Sequence, residues 1–174
     1  MSRTDRTRAA IAEAARSTIA AGGISALTMT AVADASGLAR ATVYNHVRDR
    51  SELLALVGQS LHLEARELAA GATALNGLLA AFAHWVADDP AIAGLRAHDP
   101  AVLVSAAAEV LALGDDWAGF AIDALGRLGA HADLTAVESV TRWVASYALA
   151  PGDFASRVAS AEILAQALTL DASR

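Results

Sequence analysis

The densest group of hydrogen-bonding side chains in the chain lies between Gly37 and Leu54. It holds Arg40, Thr42, Tyr44, Asn45, His46, Arg48, Asp49 and Arg50, set among alanine, leucine and valine. These residue types suit a nucleic-acid surface. An arginine fork can grip a guanine edge or a phosphate with two hydrogen bonds. Asparagine can pair with adenine. Threonine can touch a phosphate through its hydroxyl or a thymine methyl through its carbon. Tyrosine and histidine reach phosphate oxygens. Thr28 and Arg50 stand at expected helix starts, where backbone amides also collect phosphates. Taken singly, other roles are equally open: Tyr44 could pack on a neighbouring helix, and Asp49 could pair with a nearby arginine. Arg3, Arg6 and Arg8 read equally well as an N-terminal arm on DNA and as a solvated cluster.

The elements that must position this group are short helices. Thr28 caps a helix of about 28–35, Ser36-Gly37-Leu38 forms a tight turn, and a second short helix covers about 39–47. Two short helices around a glycine turn make a helix-turn-helix. Val32, Ala33, Leu38, Val43 and Val47 have the spacing to hold both against a first helix of about 4–21. Ile11, Ala14, Ala15, Thr18 and Ile19 line that helix, and Gly22-Gly23 stop it. Arg40, Thr42, Tyr44, Asn45 and His46 are then left outward. Asp49 and Glu52 read as a capping box that opens a long helix to about residue 70.

The charge agrees with this division. Residues 1–50 carry seven arginines against four acids, a balance of +3; residues 51–174 have a balance of −9. A basic head on an acidic body suits a polyanion-binding end on a solubilising scaffold. All 13 basic residues are arginine, a bias that genome composition explains as well as function does.

At these residues the chain resembles the TetR-type transcriptional regulators. The resemblance rests on Thr28-Met29-Thr30-Ala31-Val32-Ala33, on Ser36-Gly37-Leu38, on Ala41-Thr42-Val43-Tyr44-Asn45-His46-Val47, and on Arg50-Ser51-Glu52-Leu53-Leu54. It covers about residues 4–55. Val47 stands where the family usually has phenylalanine, Arg50 where it has lysine, and Ala39 where serine is frequent. The resemblance implies DNA-binding residues Thr28, Arg40, Thr42, Tyr44, Asn45, His46 and Arg50. It also implies a division into a head of residues 1–48 and an effector-binding and dimerisation domain of residues 49–174. The expected function is a ligand-responsive repressor that binds a palindromic operator as a homodimer.

The rest of the chain reads as helices of about 74–88, 90–98, 100–113, 115–129, 133–149 and 154–170. Asp89, Asp99, Asp115, Asp133 and Asp153 are expected N-caps, the first two before a proline. The fold class is therefore all-α. Leu134, Val137, Val140, Val144 and Tyr147 give one apolar face, and Phe154, Val158, Ala161, Leu164 and Leu168 another. Helices 133–149 and 154–170 are the expected dimer pair, forming a four-helix bundle with their copies. His62, Arg66, Trp85, His98, Trp117 and Phe120, with Phe82, are candidates to line an effector pocket. Each could equally be ordinary core.

Other classes find little support. The chain has no cysteine, which excludes disulfides and thiolate metal sites. Its five histidines are scattered, so no metal or other cofactor is expected. No nucleophile motif or phosphate loop is present, and no enzyme is expected. No apolar stretch is long enough to span a membrane, although 55% of the residues are hydrophobic. No signal-peptide core follows the arginine-rich start, so the expected location is cytoplasmic. The rival reading is a helical small-ligand carrier or interaction module with a vestigial DNA-binding head.

Overall fold

A computed structural model of the protein describes residues 2–111 and 115–170. Every regular element among them is an α-helix: α1 (Arg3–Ala26), α2 (Met29–Ser36), α3 (Arg40–His46), α4 (Arg50–Gly71), α5 (Leu75–Asp88), α6 (Pro90–His98), α7 (Pro100–Leu111), α8 (Asp115–Arg127), α9 (Leu134–Leu149) and α10 (Phe154–Leu170). The helix end expected at residue 113 and the capping side chain of Asp115 lie outside what is described.

The chain divides into two compact units. The first gathers the residues up to Glu64 together with Pro90–Pro100; the second gathers Ala65–Asp89 with the described residues from Ala101 onward.

In the first unit the core is built on α1. Ile11, Ala15 and Ile19 pack with Val32 and Ala33 of α2, Val43 of α3, Val47, and Leu53, Leu56 and Val57 of α4. Burying such aliphatic side chains contributes roughly 1.5–3 kcal/mol each. Leu38 is half-buried against the same cluster. Gly22 and Gly23, expected to stop the first helix, interrupt it instead, with φ −158° and +68°. One further turn follows, ending at Ala26.

α6 belongs to this unit and lies backbone to backbone on α1. A β-carbon at Gly94 would stand 2.5 Å from the Ile19 carbonyl oxygen and 2.6 Å from Ala20 Cα. Only glycine allows that approach.

In the second unit Leu75 and Leu79 of α5 pack with Leu125 of α8, Val137 of α9, and Ala161, Ala165 and Leu168 of α10. Asp133 caps α9 by accepting the Ala136 N–H at 2.7 Å, and Asp153 accepts the Ser156 N–H at 2.7 Å. Both expected caps are thus present. Arg127 closes the end of α4 by donating to the Ala69 carbonyl at 3.2 Å.

Candidate nucleic-acid interface

The turn that presents α3 follows from three local choices. Thr28 Oγ1 accepts the Ala31 N–H at 3.1 Å and starts α2. Gly37 ends α2 with φ +66°, in the left-handed region that glycine enters without a Cβ penalty. A β-carbon there would meet nothing within 4 Å, so the requirement is conformational and not one of space. Ser36 Oγ closes the turn by accepting the Leu38 N–H at 3.4 Å. Ala39 offers no side-chain cap to α3, so the Ala39 carbonyl alone receives the Thr42 and Val43 amides.

α3 is anchored by one side and open on the other. Val43 is fully buried and Val47, just beyond the helix, is 1% exposed. Tyr44 is 53% exposed despite its size. Arg40 and Asn45 are exposed, while Thr42 and His46 are half-buried at the flanks. The five expected side chains therefore do not all project equally. Arg40, Tyr44 and Asn45 stand farthest out.

The entry to α4 departs from the expected capping box. Asp49 Oδ1 accepts the Glu52 N–H at 2.9 Å, which is the first half of that motif. Glu52 does not return to Asp49. Its carboxylate accepts the Arg48 N–H at 2.7 Å and the Arg48 Nε at 3.3 Å. The backbone bond, then the Arg48 side chain, hold the Glu52 carboxyl below the usual carboxylate range.

The arginines near α3 have separate tasks. Arg8 reaches from α1 to the His46 carbonyl at 3.3 Å and to Gln59 Oε1 at 3.5 Å. It therefore ties the C-terminal end of α3 to α1 and α4. Arg50 donates to the carbonyl of Ile24. Asp99, expected as a cap before Pro100, accepts the Ile24 N–H at 2.6 Å. Neither Arg8 nor Asp99 carries a local signal for these partners, because they lie 38 and 75 residues away in sequence.

The effector-pocket candidates fall into two groups. His62 and His98 belong to the first unit; Arg66, Trp85, Trp117 and Phe120 belong to the second. Within the second unit the Arg66 guanidinium lies 4.8 Å from the centre of the Phe120 ring, and Trp117 is 5.3 Å from the same ring. Trp85 meets Phe82 edge-on at 6.2 Å, and Phe82 and Phe120 pack on the same small core of Ala69, Leu78 and Ala124.

Two polar groups that sequence reading passed over lie on α5 and α10. Arg157 is 7% exposed, bonds Asp88 at 2.8 Å, and has its Nε buried without a hydrogen-bond partner. One turn away, the His84 ring lies tilted against Phe154 with the ring centres 4.4 Å apart, and its Nδ1 is buried in the same condition. Among the described residues no group of histidines and acids is placed to hold a metal ion. No described helix is long and apolar enough to cross a membrane.

Residues 11–57 match the sequence profile of the family described as bacterial regulatory proteins, tetR family. That span begins inside α1 and ends inside α4, so it encloses the whole turn and both short helices. No match was found among curated proteins or among solved structures.

Proposed function

From the match of residues 11–57 to the tetR family of regulatory proteins we propose that the chain is a DNA-binding transcriptional regulator of that family: a cytoplasmic, effector-responsive repressor acting as a homodimer on a palindromic operator. The observation that carries the reading is α3 itself: a buried valine anchor with Arg40, Tyr44 and Asn45 turned outward. Arg40 and Asn45 are assigned to base edges, and Tyr44 to the backbone. Thr42 and His46 reach phosphates at the groove's rims. Thr28 keeps its hydroxyl proton for a phosphate while its oxygen caps α2.

Pairing supplies the second recognition helix. A dimer sets two such helices one helical turn of DNA apart, about 34–36 Å. α10 supports self-association, though through a different stripe from the one expected. Ala161 and Leu168 are spent on the chain's own core, as is Val137 of α9. On the other side of α10, Ala155, Ala159, Ile163 and Ala167 are exposed at four-residue spacing, and Ile163 is 69% exposed. A helix that is apolar on both sides needs a partner on both.

The effector is assigned to the second unit. Arg66 over Phe120, with Trp117 beside it, would favour an aromatic or anionic molecule. Such an effector would release DNA only by its preference for a conformation with the wrong head spacing.

Selection of random DNA by the purified chain tests the function. A palindromic site is expected, with affinity falling steeply as salt rises because phosphates shed counterions. Binding that ignores salt, or no enriched sequence, would contradict it.

A further inference from the structure

In the first unit, both backbone groups of one residue are held by charged side chains from distant segments. Ile24 follows the break at Gly22 and Gly23. Its N–H is taken by Asp99 at 2.6 Å, from the end of α6. Its carbonyl receives the guanidinium of Arg50, from the first turn of α4, and also the Leu27 N–H at 3.1 Å. Hydrogen bonds with an ionised partner are about twice as strong as neutral ones.

The backbone is shaped for this hold. Gly23 lies at φ +68°, and a β-carbon there would stand 2.0 Å from Asp99 Oδ2 and 2.8 Å from His98 Cβ. Gly94 brings α6 equally close to α1. Asp99 is kept in line by its own N–H, which returns to the Leu95 carbonyl at 2.8 Å. The residues after Ile24 lead straight to Thr28, the cap of α2, and α2 leads through Gly37 to α3.

We propose that Asp99 and Arg50 are positioning residues for the recognition helix: they clamp Ile24 from its two sides, and Arg50 serves this clamp instead of a DNA phosphate. The inference rests on the DNA-binding reading above. It adds that the head is completed by a carboxylate about 40 residues beyond the span that matches the family. The buried core still holds α2 and α3 when the clamp is lost. What changes is the fine placement of Arg40, Tyr44 and Asn45. Base readout depends on that placement, whereas phosphate attraction does not.

The test uses the full chain and the operator obtained by selection. Arg50→Ala and Asp99→Ala should each lower operator affinity about tenfold, roughly the worth of one charge-assisted hydrogen bond. Affinity for unrelated DNA and the slope of log affinity against log salt should stay at their wild-type values. The double variant should cost less than the two single effects combined, because either change opens the same clamp. Asp99→Asn, which keeps an acceptor oxygen, should recover most of the binding. A slope shallower by about 0.9 in Arg50→Ala would show a lost phosphate contact and overturn the inference. So would wild-type binding by Asp99→Ala.

Amide exchange at Ile24 supplies a readout that needs no DNA: slow in the wild type and faster once Asp99 is changed. If Asp99→Ala fails to fold, Arg50→Ala and the wild-type Ile24 exchange decide the matter. Rapid wild-type exchange at Ile24 overturns the clamp. A wild-type chain that binds no DNA removes the DNA reading and the positioning role together. Normal wild-type binding with unaffected variants removes the positioning role alone.

Discussion

α3 and α10 solve opposite problems with similar apolar material. In α3 the sides are sorted: Val43 is fully buried and Tyr44, next in sequence, is 53% exposed beside Arg40 and Asn45. In α10 both sides are apolar: Ala161 is fully buried, yet Ile163, two residues on, is 69% exposed. The difference separates two kinds of surface. Polar groups held outward by a buried anchor already state what they would bind. An apolar surface states only that something should cover it, and that something is assigned here to a second copy.

The sharpest way to break this comparison is a charge on α10. Ile163→Glu should convert the proposed dimer to monomers in sedimentation velocity, and operator affinity should fall at least a hundredfold as paired half-site binding is lost. A variant that stays dimeric would move the interface elsewhere and leave the outward side of α10 unexplained.

A smaller effect compares two glycines. Gly37 before α3 and Gly152 before α10 have φ +66° and +60°, and neither β-carbon would meet an atom within 4 Å. Alanine at either should cost about 1–2 kcal/mol through backbone strain alone, read as a lower melting temperature. Only Gly37→Ala should also weaken operator binding beyond what the stability loss explains. Equal effects on DNA binding would mean that the turn before α3 is not special.

The smallest expected effect is in acid. The Glu52 carboxyl is held low by the Arg48 N–H and then by the Arg48 side chain. The Asp133 carboxyl is held low first by the Ala136 N–H, and the Asp153 carboxyl by the Ser156 N–H. Each has a folded pKa below its unfolded one. The stability it adds is therefore full above the ordinary carboxylate range and is lost as pH falls through the depressed value. Carboxyl titration by NMR should find all three below free glutamate or aspartate. A Glu52 that titrates like a free side chain would remove its bond to Arg48.

Much of the candidate site was readable because its causes are local. Thr28 caps the next turn, Gly37 supplies a left-handed residue, and Val43 has the spacing to face inward. The caps Asp133 and Asp153 are readable for the same reason. Glu52 shows where local reading slips: the motif suggests a return to Asp49, but Arg48 offers both a backbone and a side-chain donor. Asp99 shows the greater difficulty. An Asp-Pro pair reads as a helix cap, yet its carboxylate binds an amide 75 residues earlier because Gly94 and Gly23 let two backbones meet. Arg8 likewise finds the His46 carbonyl only once α1 and α3 are packed. The expected dimer stripe failed in part for a related reason. Periodicity marks Val137, Ala161 and Leu168 as an apolar side without saying which neighbour it meets, and they meet their own chain.

The central claim is that α3 reads DNA through its outward side chains. It is tested most directly by operator affinity, measured by fluorescence anisotropy, for Tyr44→Ala and Arg40→Ala beside the wild type. Both side chains are exposed, so the helical circular-dichroism signal and the melting temperature should be retained. Operator affinity should fall at least tenfold in each, about 1.4 kcal/mol or more. Wild-type affinity in both variants would place the DNA-reading surface elsewhere.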